Sequence, residues 1–86
     1  MTMINVTLPA LGEDIDKAVI AAWNYRVGDY VNEGEDIVEL VTDKAVFNVT
    51  ANAAGKITRI MFKEGEEAQI GAVLAVIEPA AKVSSF

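Results

Sequence analysis

One residue in this chain combines a nucleophile with a setting suited to presenting it: Lys44, in the segment Thr42-Asp43-Lys44-Ala45. An amine on a flexible four-carbon stem can capture an activated acid, and it loses its positive charge when it does so. Little else here can do chemistry unaided. There is no cysteine and no histidine, which removes thiolate nucleophiles, disulfides, thiolate metal sites and the commonest general base near neutral pH. Asp14 and Asp16 could be paired carboxylates. Without histidine, metal-ligand spacing or a pocket signal, they read as solvated charge in a loop. Gly28 and Gly34 are turn residues, not spaced as a phosphate loop. A surface lysine is ordinarily a solvated charge too, so the case for Lys44 depends on the elements that position it.

Residues 37–42 and 45–50 read as two strands around a two-residue loop, Asp43-Lys44. In that register residues whose numbers sum to 87 lie opposite one another. Leu40 then faces Phe47 and Val38 faces Val49, a consistent apolar face for a core. The other face pairs Glu39 with Asn48 and Val41 with Val46. A one-residue slip would mix the two sets, so the pattern specifies the register. Lys44 falls at the tip, its ammonium in solvent.

The rest of the chain supplies the body behind that hairpin. Val, Ile and Thr make up 24 of 86 residues, a β-branched share that favours strands. Short runs of them are broken by Pro9, Gly12, Gly28, Gly34, Gly55, Gly65, Gly71 and Pro79, which points to an all-β sandwich or barrel. Residues 18–26 have partly helical spacing, but an internal repeat decides for a strand. At a shift of 37 residues Gly28 falls on Gly65, Gly34 on Gly71, Ile20 on Ile57, Trp23 on Ile60, Ile37 on Leu74 and Leu40 on Ile77. Trp23, aligned with Ile60, is therefore a core residue. Two such halves are expected to pack about a pseudo-twofold axis, since neither could bury its apolar face alone. The repeat breaks at Asp43-Lys44, whose counterpart is Ala80-Ala81.

A chain of 86 residues makes one small domain that buries about two-thirds of its unfolded surface. With 13 acids against 7 bases, a net charge of −6, it lacks the basic stripe that nucleic-acid binding requires. No apolar run is long enough for a membrane helix, and the opening residues lack the pattern of a signal peptide. A soluble, intracellular domain is expected.

The segment from Glu39 to Ala51, Glu-Leu-Val-Thr-Asp-Lys-Ala-Val-Phe-Asn-Val-Thr-Ala, resembles the lipoyl-attachment hairpin of 2-oxo acid dehydrogenase acyltransferase components. The resemblance extends through Leu8-Pro-Ala-Leu-Gly-Glu13, Ile20-x-x-Trp23, Gly28-Asp29-x-Val31-x-x-Gly34-Glu35, Gly55, Glu64-Gly65, Gly71 and Leu74-Ala-Val-Ile77. It implies an all-β fold, a flattened barrel of two four-stranded antiparallel sheets. A lipoyl carrier domain would occupy residues 1–79, with 80–86 the start of a linker. It also implies that lipoate is joined covalently to Lys44, flanked on its turn by Asp43 and Ala45. The domain itself would be a non-catalytic, monomeric carrier.

The implied partners are a lipoate ligase or lipoyl transferase, a thiamine-diphosphate-dependent 2-oxo acid decarboxylase, an acyltransferase core and a flavin dihydrolipoamide dehydrogenase. Contact with such partners is expected from Glu13, Asp14 and Asp16, whose loop the resemblance places near the hairpin tip; Val41 and Val46 beside the tip read first as a pair that stabilises the hairpin and second as a partner contact. The location would be cytoplasmic, or the mitochondrial matrix in a eukaryote. Asn48 and Thr50 depart from the acid and proline common in the family; neither touches the attachment chemistry. The biotin carriers share this fold, but their lysine typically lies between two methionines, whereas Lys44 lies between Asp43 and Ala45.

Overall fold

The computed structural model describes residues 3–12 and 14–79. Those residues form eight strands: β1 (Ile4–Thr7), β2 (Lys17–Trp23), β3 (Tyr30–Val31), β4 (Asp36–Val41), β5 (Val46–Thr50), β6 (Gly55–Ile60), β7 (Glu67–Gln69) and β8 (Val73–Pro79). They make two four-stranded sheets, ordered β1-β8-β6-β3 and β5-β4-β2-β7, with every pairing antiparallel. Of the segment with partly helical spacing, residues 18–23 lie in strand β2, as its repeat partner β6 requires, and residues 24–26 lead into the turn that follows. The linker expected over 80–86, and with it Ala80-Ala81, lies outside the described residues.

The 37-residue repeat is a structural symmetry. Exchanging β2 with β6, β3 with β7, β4 with β8 and β5 with β1 turns the order of one sheet into that of the other. The irregularities match as well: β2 shifts register against β4 between Ile20 and Ala22, and β6 against β8 between Ile57 and Arg59. Gly28 donates its main-chain N–H to the Ile57 carbonyl at 2.7 Å, and Gly65 donates to that of Ile20 at the same distance. Each half thus closes its turn on a strand of the other. Both glycines have φ near +90°, a conformation that a side chain would strain. The twofold counterpart of the β4–β5 hairpin is the β8–β1 pair, which is not a hairpin because β1 and β8 stand far apart in sequence. This is why the repeat breaks at the hairpin tip.

The core lies between the sheets and is built from the same symmetry. Ile20 with Ile57, Ile37 with Leu74, and Leu40 with Ile77 are three repeat-related pairs, and all six side chains are fully buried. Each contributes about 1.5–3 kcal/mol of burial free energy. Trp23, expected in the core, is half-buried at its margin: it packs against this cluster and donates its indole N–H to the Phe62 carbonyl at 2.9 Å, which satisfies its polar edge. Among the described residues no polar or charged side chain is fully buried.

Gly55 corrects its reading as a turn residue. It opens strand β6, buried, opposite Pro79. A Cβ there would collide with the Glu78 carbonyl and stand 2.8 Å from Cγ2 of Ile77. Glycine is present because two backbones meet closely, one of the uses it has within strands.

Candidate functional site

The β4–β5 hairpin has the expected register: Val38 opposite Val49, Glu39 opposite Asn48, Leu40 opposite Phe47, and Val41 opposite Val46. The strands end one residue earlier than read from the sequence, so the tip is the four-residue turn Thr42-Asp43-Lys44-Ala45. Asp43 and Lys44 both have negative φ, whereas tight two-residue hairpin loops favour turns with positive φ. Side-chain chemistry closes this turn instead. The Thr42 main-chain N–H donates to the Ala45 carbonyl at 2.9 Å. The Thr42 hydroxyl donates to the same carbonyl at 3.2 Å and accepts the N–H groups of Lys44 at 3.1 Å and Ala45 at 3.0 Å. One donor and two lone pairs are all engaged, the full capacity of a hydroxyl.

Thr42 is therefore the residue that holds the backbone of Lys44, and the sequence reading assigned it no role. The available signal was a threonine beginning a turn, since Ser and Thr hydroxyls bond main-chain groups two or three residues on. Asp43 and Ala45 are exposed on either side of Lys44 and leave the amine open.

Lys44 projects from the tip with its side chain 58% exposed, and its Nζ stands 3.5 Å from Oδ2 of Asp14. Both groups are well solvated, so the ion pair is worth about 0–1 kcal/mol. It also shows where the acidic loop runs. Asp14, Ile15 and Asp16 line a groove of about 520 Å³ together with Val19, Val41, Thr42, Asp43 and Glu67. Asp14, Asp16 and Val41 thus line one groove, Asp14 reaches Lys44, and Val46 neighbours Val41 across the hairpin. Glu13 lies outside the described residues.

The other described lysines are placed differently. Lys17 pairs with Glu67 at 3.4 Å, Lys56 is half-buried within β6, and the Lys63 main chain donates to the Glu66 carboxylate in the turn that repeats Arg26–Asp29. Among the described residues no group of acids could hold a metal ion.

Comparison with known proteins gives this geometry its class. The family model described as "Biotin-requiring enzyme", the biotin–lipoyl model, matches residues 4–77. The solution structure of the lipoyl domain of the 2-oxoglutarate dehydrogenase complex from Azotobacter vinelandii superposes with a TM-score of 0.71 at 33% identity, covering 90% of this chain and 99% of that one. The chain belongs to the biotin–lipoyl family and is a lipoyl domain within it; such domains carry lipoate covalently on a lysine.

Among curated relatives, the dihydrolipoyllysine-residue succinyltransferase component of the 2-oxoglutarate dehydrogenase complex of Staphylococcus saprophyticus is 40% identical over 87% of this chain. The corresponding Bacillus subtilis component is 35% identical over 96% of it. The chain spans 18% and 20% of the length of those two proteins. A small part of the Kluyveromyces lactis urea carboxylase shares the fold, with a TM-score of 0.77 at 22% identity, covering 91% of this chain and 6% of that one.

Proposed function

We propose that Lys44 is the lipoyl attachment site and that the domain is the non-catalytic, monomeric swinging-arm carrier of a 2-oxo acid dehydrogenase complex. The observation that carries this reading is an exposed lysine at the tip of a hairpin whose turn is closed by Thr42, in a chain that belongs to the lipoyl domains. The residues fit the group. The amine is accessible and its backbone is held.

Bound lipoate supplies a dithiolane whose sulfurs accept and release acyl groups and electrons; the protein supplies position and recognition. The hairpin presents the Lys44 amine to a lipoate ligase or lipoyl transferase as a fixed target on a mobile stem. Tethering replaces free diffusion with an effective concentration of order millimolar. Carriage would then run between a thiamine-diphosphate-dependent decarboxylase, an acyltransferase core and a flavin dihydrolipoamide dehydrogenase, in the cytoplasm or the mitochondrial matrix. Asp14, Asp16, Val41 and Val46, which surround the tip, are the residues we assign to partner contact, with Glu13 in the same loop.

Intact mass spectrometry after incubation with lipoate and its ligase tests the assignment. One added lipoyl group is expected on the wild-type chain and none on Lys44→Arg. Modification of Lys17, Lys56, Lys63 or Lys82 in that variant would defeat it. A biotin adduct, visible on a streptavidin blot, would place the chain with the biotin carriers instead.

A further inference from the structure

Three valines lie side by side on the outer face of the β5-β4-β2-β7 sheet. Val46 pairs with Val41 and Val41 with Val19, and they are 57%, 37% and 38% exposed. Cross-strand valine pairs stabilise strands by themselves, but that role does not call for the groove beside them. Val19 and Val41 line it together with the loop Asp14–Asp16 and with Glu67, which is ion-paired to Lys17. Thr42 and Asp43 bring it to the hairpin tip, and its volume of about 520 Å³ is in the range of small-molecule sites.

We propose that this groove is a docking site for the lipoyl group carried by Lys44 of the same chain, so that the arm spends part of its time folded onto Val19 and Val41 instead of extended into water. The inference rests on Lys44 being the attachment site. Continuity selects the occupant, because the Lys44 Nζ stands 3.5 Å from Asp14, a residue that lines the groove. Acylation removes the charge of that amine but leaves one N–H, and Oδ2 of Asp14 is placed to accept it. The hydrogen bond would direct the acyl chain along the groove, where its methylenes and ring meet valine methyls and leave water.

The lining fits an uncharged occupant. Asp14, Asp16, Asp43 and Glu67 outnumber the single cation Lys17, so an anionic ligand is disfavoured while a neutral dithiolane is not. Weak intrinsic affinity suffices. At an effective concentration of order millimolar, a site of millimolar affinity is half occupied. The groove is open to solvent, so the arm remains available for delivery.

The test uses the lipoylated domain alone, which removes any partner as an occupant. Mass mapping first locates the lipoyl group; attachment at another lysine overturns both this inference and the reading it rests on. With Lys44 modified, nuclear Overhauser contacts are expected between lipoyl methylenes and the methyls of Val19 and Val41. Reduction of the disulfide by a water-soluble phosphine should be about twofold slower than for free lipoamide if the arm is docked half of the time. The V19T/V41T double variant keeps β-branched residues on both strands. It should retain a folded spectrum, lose the contacts and react at the free lipoamide rate; Val19→Ala serves if the double variant does not fold. Absence of valine contacts in the wild type, with a rate equal to that of free lipoamide, overturns the docking site while leaving the attachment at Lys44 intact.

Discussion

The hydroxyl of Thr42 accepts the main-chain N–H of Ala45 at 3.0 Å, bridging the turn that carries Lys44 from one strand to the other. Thr42→Val keeps the branched shape and removes three hydrogen bonds at once. Stability should fall by about 1 kcal/mol, the net worth of a typical bond, since the freed N–H groups are exposed to water. Denaturant midpoints measure that loss. The lipoylation rate should fall as well, because the lysine backbone is no longer held. Thr42→Ser restores the hydroxyl and should recover both quantities.

Asp14 and Asp16 place two acids beside the Lys44 arm. Rim charges of this kind tune encounter rate and its salt dependence. Replacing both with asparagine should leave lipoylation unchanged and slow reductive acylation by the cognate decarboxylase severalfold at low salt. The two proteins should converge as salt rises and screening shortens the reach of the charges. Acylation rates at two ionic strengths check this, and equal rates at both would remove the loop from recognition.

Gly55 has no room for a side chain, with the Glu78 carbonyl against the position its Cβ would take. A backbone neighbour cannot rotate away, so Gly55→Ala should destabilise by about 1–3 kcal/mol, the cost of overpacking a close-packed site. Thermal or urea unfolding reads the change. Lipoylation of the fraction that remains folded should be unaffected, because β6 lies in the sheet opposite the hairpin.

Glu35 accepts the Asn32 main-chain N–H at 3.1 Å and the Tyr25 hydroxyl at 2.7 Å. The Asn32 bond first, and the Tyr25 bond after it, hold its carboxyl below the usual glutamate range. A depressed folded value means that the stabilisation is present above the unfolded pKa and is lost as pH falls through the folded one. The acid limb of the stability curve should therefore include Glu35. Tyr25→Phe should move the Glu35 titration, followed by NMR, part of the way back up, with the Asn32 bond retained. The Tyr25 hydroxyl is itself raised, chiefly by its bond to Glu35. Its contribution is present below the unfolded tyrosine pKa and lost as pH rises through the folded one.

Local pattern alone determined a great deal of this protein. The hairpin register follows from alternation around Asp43-Lys44, because a slip would expose Leu40 and Val38, and both are fully buried. The two halves follow from the 37-residue repeat, because a shared apolar register implies a shared strand, and Ile20, Ile37 and Leu40 are buried in one core with their repeat partners. Contacts between distant segments were decided only by the tertiary structure. That Gly55 answers to Glu78, or that Asp14 reaches Lys44, depends on strands brought together across the fold. Periodicity carries no information about such approaches. Thr42 lies between these cases. Its neighbours are local, but whether its hydroxyl closes the turn depends on the φ angles the two strands impose, and those are set by the sheet as a whole.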